Sequence, residues 1–242
     1  MGDNLPARHA TRQRTHSVQD ILNVLLTVER LLMTFYYTGL TSPGVMRSMT
    51  LSGASADPNN PGLPPGGNPH HVRYLQAALD AEAKHTAALV GAGAASPHTR
   101  FIFPSRTFRS LGTSPDHGSF LGIMEILETL GEGAYLAAGR EFLRQRLPDL
   151  ALVAAEIMGV ESEHRMLGRV LSRISPPTPA ALVSDLFATI DDCGSWLHPF
   201  VTGTGYLFAT DATRFTKVPS GAQVARIVGN YGTRRVRRFL WT

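Results

Sequence analysis

The chain has 242 residues, 43% of them hydrophobic, enough for one sizeable core or two small ones, and its lone cysteine, Cys193, excludes an internal disulfide. Its net charge of +4 owes much to Arg8, Arg12 and Arg14 at one end and to Arg234, Arg235, Arg237 and Arg238 at the other. No nucleic-acid motif accompanies that charge, which argues against a nucleic-acid reader. The polar opening leads into no apolar targeting run, and the first apolar stretch, from Ile21, is interrupted by Glu29. The reading is therefore no signal peptide, no membrane span and a cytoplasmic protein.

A first helix is expected over residues 17–39. Ser17 can cap it with Asp20 three residues on, and Ile21, Leu25, Val28, Leu32 and Phe35 recur at helical spacing until Gly39. Residues 41–70 are rich in Pro, Gly, Asn and Ser, which predicts a long loop without a helix. A second helix is expected over 69–89, ending before Gly91 and Gly93. In the connection over 94–117, Phe101-Ile102-Phe103-Pro104 and Phe108 are too apolar for a free loop and predict a crossover anchored along the bundle. A third helix is expected over 119–147, and a fourth from Pro148 or Asp149 to about 174, before Pro176-Pro177. Pro179 can open a fifth helix reaching about 190. Beyond it, Thr202 to Phe208 suggest turns and short strands, with a short helix over 222–228. The expected division is a polar tail over 1–16, a four-helix bundle over 17–175, and a C-terminal helix with an irregular extension over 176–242, packed on the bundle or on a partner subunit. Trp196 and Trp241 are expected to do that packing.

Two Glu-x-x-His steps stand out: Glu82-Ala83-Lys84-His85 in the second helix and Glu161-Ser162-Glu163-His164 in the fourth. A helix turns about 100° per residue, so positions three apart share a face and each pair can converge on one point. The first helix carries Glu29, and the third carries Glu125, Glu128 and Glu132 near one face; spacing does not choose among these three. A Glu-x-x-His on an exposed helix commonly has no function. Two such steps, each mid-helix with apolar neighbours and alternating with Glu-bearing helices, match the ligand pattern of a two-metal carboxylate centre. Four carboxylates would largely balance two divalent ions, and without ions their burial would be costly unless some held protons. Tyr36 lies seven residues after Glu29, and Tyr135 seven after Glu128. Tyr36 is the candidate catalytic side chain, able to hydrogen-bond a ligand or give up an electron; ordinary core packing explains both rings equally well. His70-His71 could bind metal on its way in, although exposed loop histidines are commoner.

Leu26-Thr27-Val28-Glu29 with Phe35-Tyr36, Glu82-Ala83-Lys84-His85, Leu127-Glu128 with Ala134-Tyr135, and Val160-Glu161-Ser162-Glu163-His164 together resemble the ferritin-like domain of desiccation-related proteins. Phe101-Ile102-Phe103-Pro104 is also similar to that family. The resemblance covers about residues 18–173, with a weaker echo at Gly221-Ala222-Gln223-Val224. It departs at Leu32, where the family often has an acid, and after Pro199. It implies an all-α, ferritin-like four-helix bundle with a di-iron or di-manganese centre held by Glu29, Glu82, His85, Glu128, Glu161 and His164. It also implies that Glu128 is the third-helix ligand.

The expected function is a redox protein, a ferroxidase or oxidase, using two metal ions (iron first, manganese second) with dioxygen or peroxide, in a homo-oligomer and most simply a dimer. The alternatives are a manganese catalase, or a non-enzymatic stress protein whose metals staple its helices.

Overall fold

A computed structural model describes residues 16–50, 69–112, 118–172, 186–204 and 214–229. Four long helices form a bundle: α1 (Val18–Thr41), α3 (Pro69–Gly91), α4 (Phe120–Arg144) and α5 (Pro148–Leu171). Around them lie α2 (Pro43–Thr50), β1 (Arg100–Phe103), α6 (Ile190–Thr202), β2 (Arg214–Lys217) and α7 (Gly221–Val228). The chain is thus mostly helical, and its only sheet among the described residues has two strands.

Ser17 opens α1 through a capping box in which its side chain accepts from the Asp20 amide and the Asp20 carboxylate accepts from the Ser17 amide. The helix is buried nearly all round, from Ile21 and Leu25 through Leu31, Leu32, Phe35 and Tyr36, because it has the bundle on one side and the crossover on the other. Near its end Gly39 is required by contact: a Cβ there would lie 2.2 Å from the Phe120 ring. That approach lets Phe35 and Phe120 stack with ring centroids 4.5 Å apart.

Hydrogen bonds fix the direction of the helices. Gln19 at the start of α1 donates to the Gly93 carbonyl just past α3 (3.0 Å), so α1 and α3 are antiparallel. His16 at the start of α1 meets Glu141 at the end of α4, while Phe35 meets Phe120, so α1 and α4 are antiparallel too. The tight turn at Gln145–Leu147, with Arg146 in the left-handed region (φ 61°), reverses the chain into α5. Consequently α3 and α4 run the same way, and the connection between them must travel the length of the bundle. It tracks α1: the Asn23 side chain accepts from the Ala95 amide (2.7 Å), Arg30 donates to the Ser96 carbonyl (2.9 Å), and Ser42 donates to the Phe108 carbonyl (2.5 Å). Phe101, Ile102 and Phe103 are buried there as strand β1, paired antiparallel with β2 in the register Phe101 to Thr216 and Ile102 to Phe215.

Two short helices depart from the sequence reading. The stretch after α1 was expected to be loop throughout, yet α2 forms because Pro43 starts a turn and Val45 and Met49, four apart, bury on one side. The expected fifth helix falls largely outside the described residues; α6 instead begins at Ile190, where that helix was expected to end. The Thr189–Asp192 capping box starts it, Ile190, Cys193, Leu197 and Phe200 bury its inner face, and Gly203 in the left-handed region (φ 71°) stops it. Trp196 packs on Phe187, with centroids 5.0 Å apart; Trp241 and both arginine clusters lie outside the described residues. Among the described residues no helix is long and apolar enough to cross a membrane.

His16 ties three elements together. Its Nδ1 lies 2.9 Å from Glu141 of α4 and its Nε2 lies 3.0 Å from Asp191 of α6. Burial works against the charged ring, but Glu141 and Asp191 prevail and hold its pKa above the usual 6.5. A histidine raised in the folded state contributes stability that is complete below its unfolded value and is lost as pH climbs through the folded one. His16→Gln is therefore expected to cost roughly 1–3 kcal/mol under mildly acidic conditions. Urea unfolding across the pH range should show that gap shrinking as pH rises above 6.5. A gap independent of pH would mean that the imidazole carries no charge in the fold.

Candidate metal centre

The mid-sections of the four long helices bring Glu29, Glu82, His85, Glu128, Glu161 and His164 together. The four carboxylates are fully buried and the two imidazoles nearly so. Each Glu-x-x-His step points inward as a unit: His85 Nδ1 lies 3.5 Å from Glu82, and His164 Nδ1 lies 3.9 Å from Glu161. Across helices, His85 Nδ1 is 3.4 Å from Glu29 and 3.3 Å from Glu161, while His164 Nδ1 is 2.8 Å from Glu82 and 3.8 Å from Glu128. Gly131 makes room at the centre, since a Cβ on it would stand 3.0 Å from a Glu161 oxygen.

Two tyrosines cross between the helix pairs. Tyr36 of α1 donates to Glu128 of α4, and Tyr135 of α4 donates to Glu29 of α1. Each ring therefore serves the carboxylate of the other helix. Both are fully buried; burial and then the adjacent carboxylate, Glu128 for Tyr36 and Glu29 for Tyr135, push both phenols well above their ordinary pKa. They stay protonated and remain donors.

Each tyrosine leaves one oxygen of its Glu without a hydrogen bond. Both oxygens of Glu82, both oxygens of Glu161, and Nδ1 of His85 and of His164 are likewise buried without a hydrogen-bond partner. Buried polar atoms are normally satisfied, and such a concentration of lone pairs in one hollow is the condition a cation relieves. Among the described residues there are two groups whose potential ligand atoms all lie within 4.8 Å of one another inside each group: Glu29, Glu82, His85 and Glu161, and Glu82, Glu128, Glu161 and His164. The groups share Glu82 and Glu161.

Burial, followed by repulsion from Glu161, raises Glu82 and Glu128 well above the ordinary carboxylate range; burial and then Glu29 raise Glu161. Burial pushes Glu29 up, but the charge on His85 together with polar contacts from His85, Glu82 and Tyr135 brings it below its ordinary value. His85 is raised: burial opposes its charge, and Glu29, Glu161 and Glu82 overcome that. His164 is lowered by burial, with Glu161 compensating only in part. Without cations Glu82, Glu128 and Glu161 thus hold their protons to higher pH than free carboxylates do.

The other acids of α4 have different partners. Glu125 receives Arg169 of α5 at 2.7 Å, and Glu132 receives Arg165 at 2.8 Å. These pairs flank Glu128, one turn to either side, and keep both carboxylates out of the hollow. The arginines were not singled out from the sequence: they lie four apart on α5 whereas the two acids lie seven apart on α4, so spacing does not reveal the pairing. Glu163 is exposed. His71 is half-buried, the His70 side chain lies outside the described residues, and neither joins a potential metal group. Cys193 is buried in α6, where burial and then Asp192 push its thiol up to about 12, so it is not a ready nucleophile.

The fold and the hollow define a carboxylate- and imidazole-lined four-helix bundle able to hold metal ions. A family model for the ferritin-like domain matches residues 17–172, and the chain belongs to that family. The match spans the four long helices and the crossover, and ends before α6. No curated protein and no solved structure matches the chain.

Proposed function

We propose that this chain holds two transition-metal ions, iron first, and serves as a redox protein acting with dioxygen or peroxide. The observation that carries this reading is the pair of four-residue groups sharing Glu82 and Glu161. Glu82 and Glu161, with both oxygens unengaged and each a member of both groups, would help hold both ions. Glu29 with His85 would complete one position and Glu128 with His164 the other, each terminal Glu offering the oxygen its tyrosine leaves open. Oxygen donors with one imidazole per ion suit Fe(II) or Mn(II), and six protein ligands around two ions do not make a closed tetrahedral zinc site. The arrangement is the one that di-metal carboxylate bundles use.

When bound, a pair of Fe(II) ions would supply two electrons to the oxidant. The chain's own part is to set positions and charge. The buried carboxylates neutralise the ions, and the Tyr36 and Tyr135 hydroxyls hold the terminal carboxylates in orientation while keeping their protons. Tyr36 stands edge-on to the His164 ring, with centroids 6.0 Å apart, so it touches one side of the centre through both Glu128 and His164.

The test begins with metal analysis of protein expressed with iron and manganese both available, where two ions per chain are expected. Fe(II) is then added without air, and air is admitted. Oxidation sustained over many equivalents identifies a ferroxidase, while oxidation that stops after one round points to another substrate. Peroxide dismutation by the manganese-loaded form would identify a catalase. Protein that takes up neither metal refutes the proposal. Tyr36→Phe is expected to keep both ions and slow the oxidation about 10- to 100-fold, the usual penalty for removing a hydrogen bond to a metal ligand. An unchanged rate would leave Tyr36 as a packing residue.

A further inference from the structure

Beside the centre, toward the end of the bundle where α1 begins and α3 ends, lies a cavity of about 420 Å³. All four long helices line it, with Leu25, Leu89, Tyr135, Phe142, Ala154 and Ile157 among its walls. Among the described residues no charged side chain lines it, and the Tyr135 hydroxyl is already committed to Glu29. Its position is set by helical spacing. Leu25 precedes Glu29 by four residues, Leu89 follows His85 by four, and Ile157 precedes Glu161 by four. Each wall residue is therefore about 6 Å along its helix from a side chain of the Glu29–His85 group.

A bundle core is normally close-packed, with few voids larger than a water molecule. An apolar cavity of about 150 Å³ already stays dry and takes up benzene, and pockets for small organic ligands begin at roughly 300 Å³. The lining also limits the chemistry of the occupant. A carboxylate or ammonium placed here would lose its water and find no counter-charge, at a cost of several kcal/mol. We propose that this cavity is a binding site for an uncharged, largely hydrocarbon molecule seated against Tyr135. Its bearing on the metals rests on the two-metal reading above. On that reading the molecule lies beside the Glu29–His85 position and away from the Glu128–His164 position, making this the organic substrate or effector pocket of one half of the centre.

The binding test uses metal-free and metal-loaded protein with the uncharged fluorophore N-phenyl-1-naphthylamine. Saturable binding of one probe per chain is expected, displaced by 1-decanol at least tenfold more effectively than by decanoate. Ala154→Leu fills the cavity from α5. Gly91→Phe fills it from the mouth, where an added Cβ meets nothing within 4 Å, so this variant keeps the test decisive if the buried change fails to fold. Probe affinity should fall tenfold or more in each folded variant while its metal content stays at the wild-type value. Binding that does not saturate, that survives in both variants, or that decanoate blocks as well as decanol does, overturns the proposal. In Co(II)-loaded protein, 1-decanol should shift the visible absorption bands. Failure to take up Co(II) would count against the metal reading alone and leave the probe result standing.

Discussion

Glu82→Ala and Glu161→Ala are each expected to abolish metal binding at both positions, whereas Glu29→Ala and Glu128→Ala lose one ion and keep the other. The difference follows from membership: Glu82 and Glu161 belong to both four-residue groups, while Glu29 belongs only to that of His85 and Glu128 only to that of His164. Hydrogen bonding makes the same division independently, since the tyrosines occupy one oxygen of Glu29 and one of Glu128 and none of Glu82 or Glu161. Metal per chain, measured after loading and gel filtration, should fall from two to none in the first pair and from two to about one in the second, because a position that loses a shared ligand also faces a weakened neighbour. Glu125→Gln and Glu132→Gln are the controls. Both acids pair with α5 arginines outside the hollow, and both variants should keep two ions. Loss of metal in Glu125→Gln with retention in Glu128→Ala would overturn the assignment on α4.

Glu82→Gln should change the sign of its effect on stability with metal occupancy. In the metal-free protein, four carboxylates are buried around two imidazoles, and Glu82 meets repulsion from Glu161 and Glu29. At a pH where Glu82 is ionised, replacing that acid by a neutral isostere is expected to stabilise the metal-free fold by at least about 1 kcal/mol, the equivalent of roughly one pKa unit. In the loaded protein the same change removes a shared ligand. Wild type gains about 4 kcal/mol per site when free metal stands at a thousand times its dissociation constant, and the variant forfeits that gain. Thermal melts with and without Fe(II) or Mn(II) should therefore cross: the variant melts above wild type when empty and below it when loaded. The pH dependence follows the same charges. Glu82, Glu128 and Glu161 are held above 4.5 in the metal-free fold, so they bind protons that the unfolded chain has released. The stability they contribute is complete below pH 4.5 and is lost as pH rises through their folded values, with Glu29, shifted the other way, acting in opposition. Metal binding must displace those protons, so loading should acidify a weakly buffered solution. Melts that move in the same direction in both states would show that the carboxylates are not in electrostatic conflict.

The four long helices were legible because their signals are local. The Ser17 cap, the 3.6-residue period of Ile21, Leu25 and Leu32, and the Pro148 start need no knowledge of the rest of the chain. The inward aim of the two Glu-x-x-His steps was legible for the same reason, as helical geometry places residues three apart on one face. The choice among Glu125, Glu128 and Glu132 was not available from spacing, because it depends on Arg165 and Arg169 more than thirty residues away on another helix. The tyrosine partners were hidden likewise: a spacing of seven relates Tyr36 to Glu29, but the hydrogen bond goes to Glu128. The helix over Ile190–Thr202 was missed although part of its signal was present, in Thr189 and Asp192 at capping-box spacing; the threonines and glycines from Thr202 to Gly205 drew the reading toward turns. The cavity at the α1–α3 end had no sequence signature, since residues that leave a space between helices look the same as residues that fill it.

The distribution of the candidate ligands over the chain would have a consequence for assembly. The hairpin of α1 and α3 contributes Glu29, Glu82 and His85, and that of α4 and α5 contributes Glu128, Glu161 and His164. Neither hairpin alone supplies a full group, because the first borrows Glu161 and the second borrows Glu82. A nascent chain that has folded only its first hairpin would offer three of one group's four donors. On the two-metal reading, a complete group would form only once the crossover has brought the later hairpin alongside, so metal uptake would mark the final docking step and the order of the chain itself would disfavour premature loading.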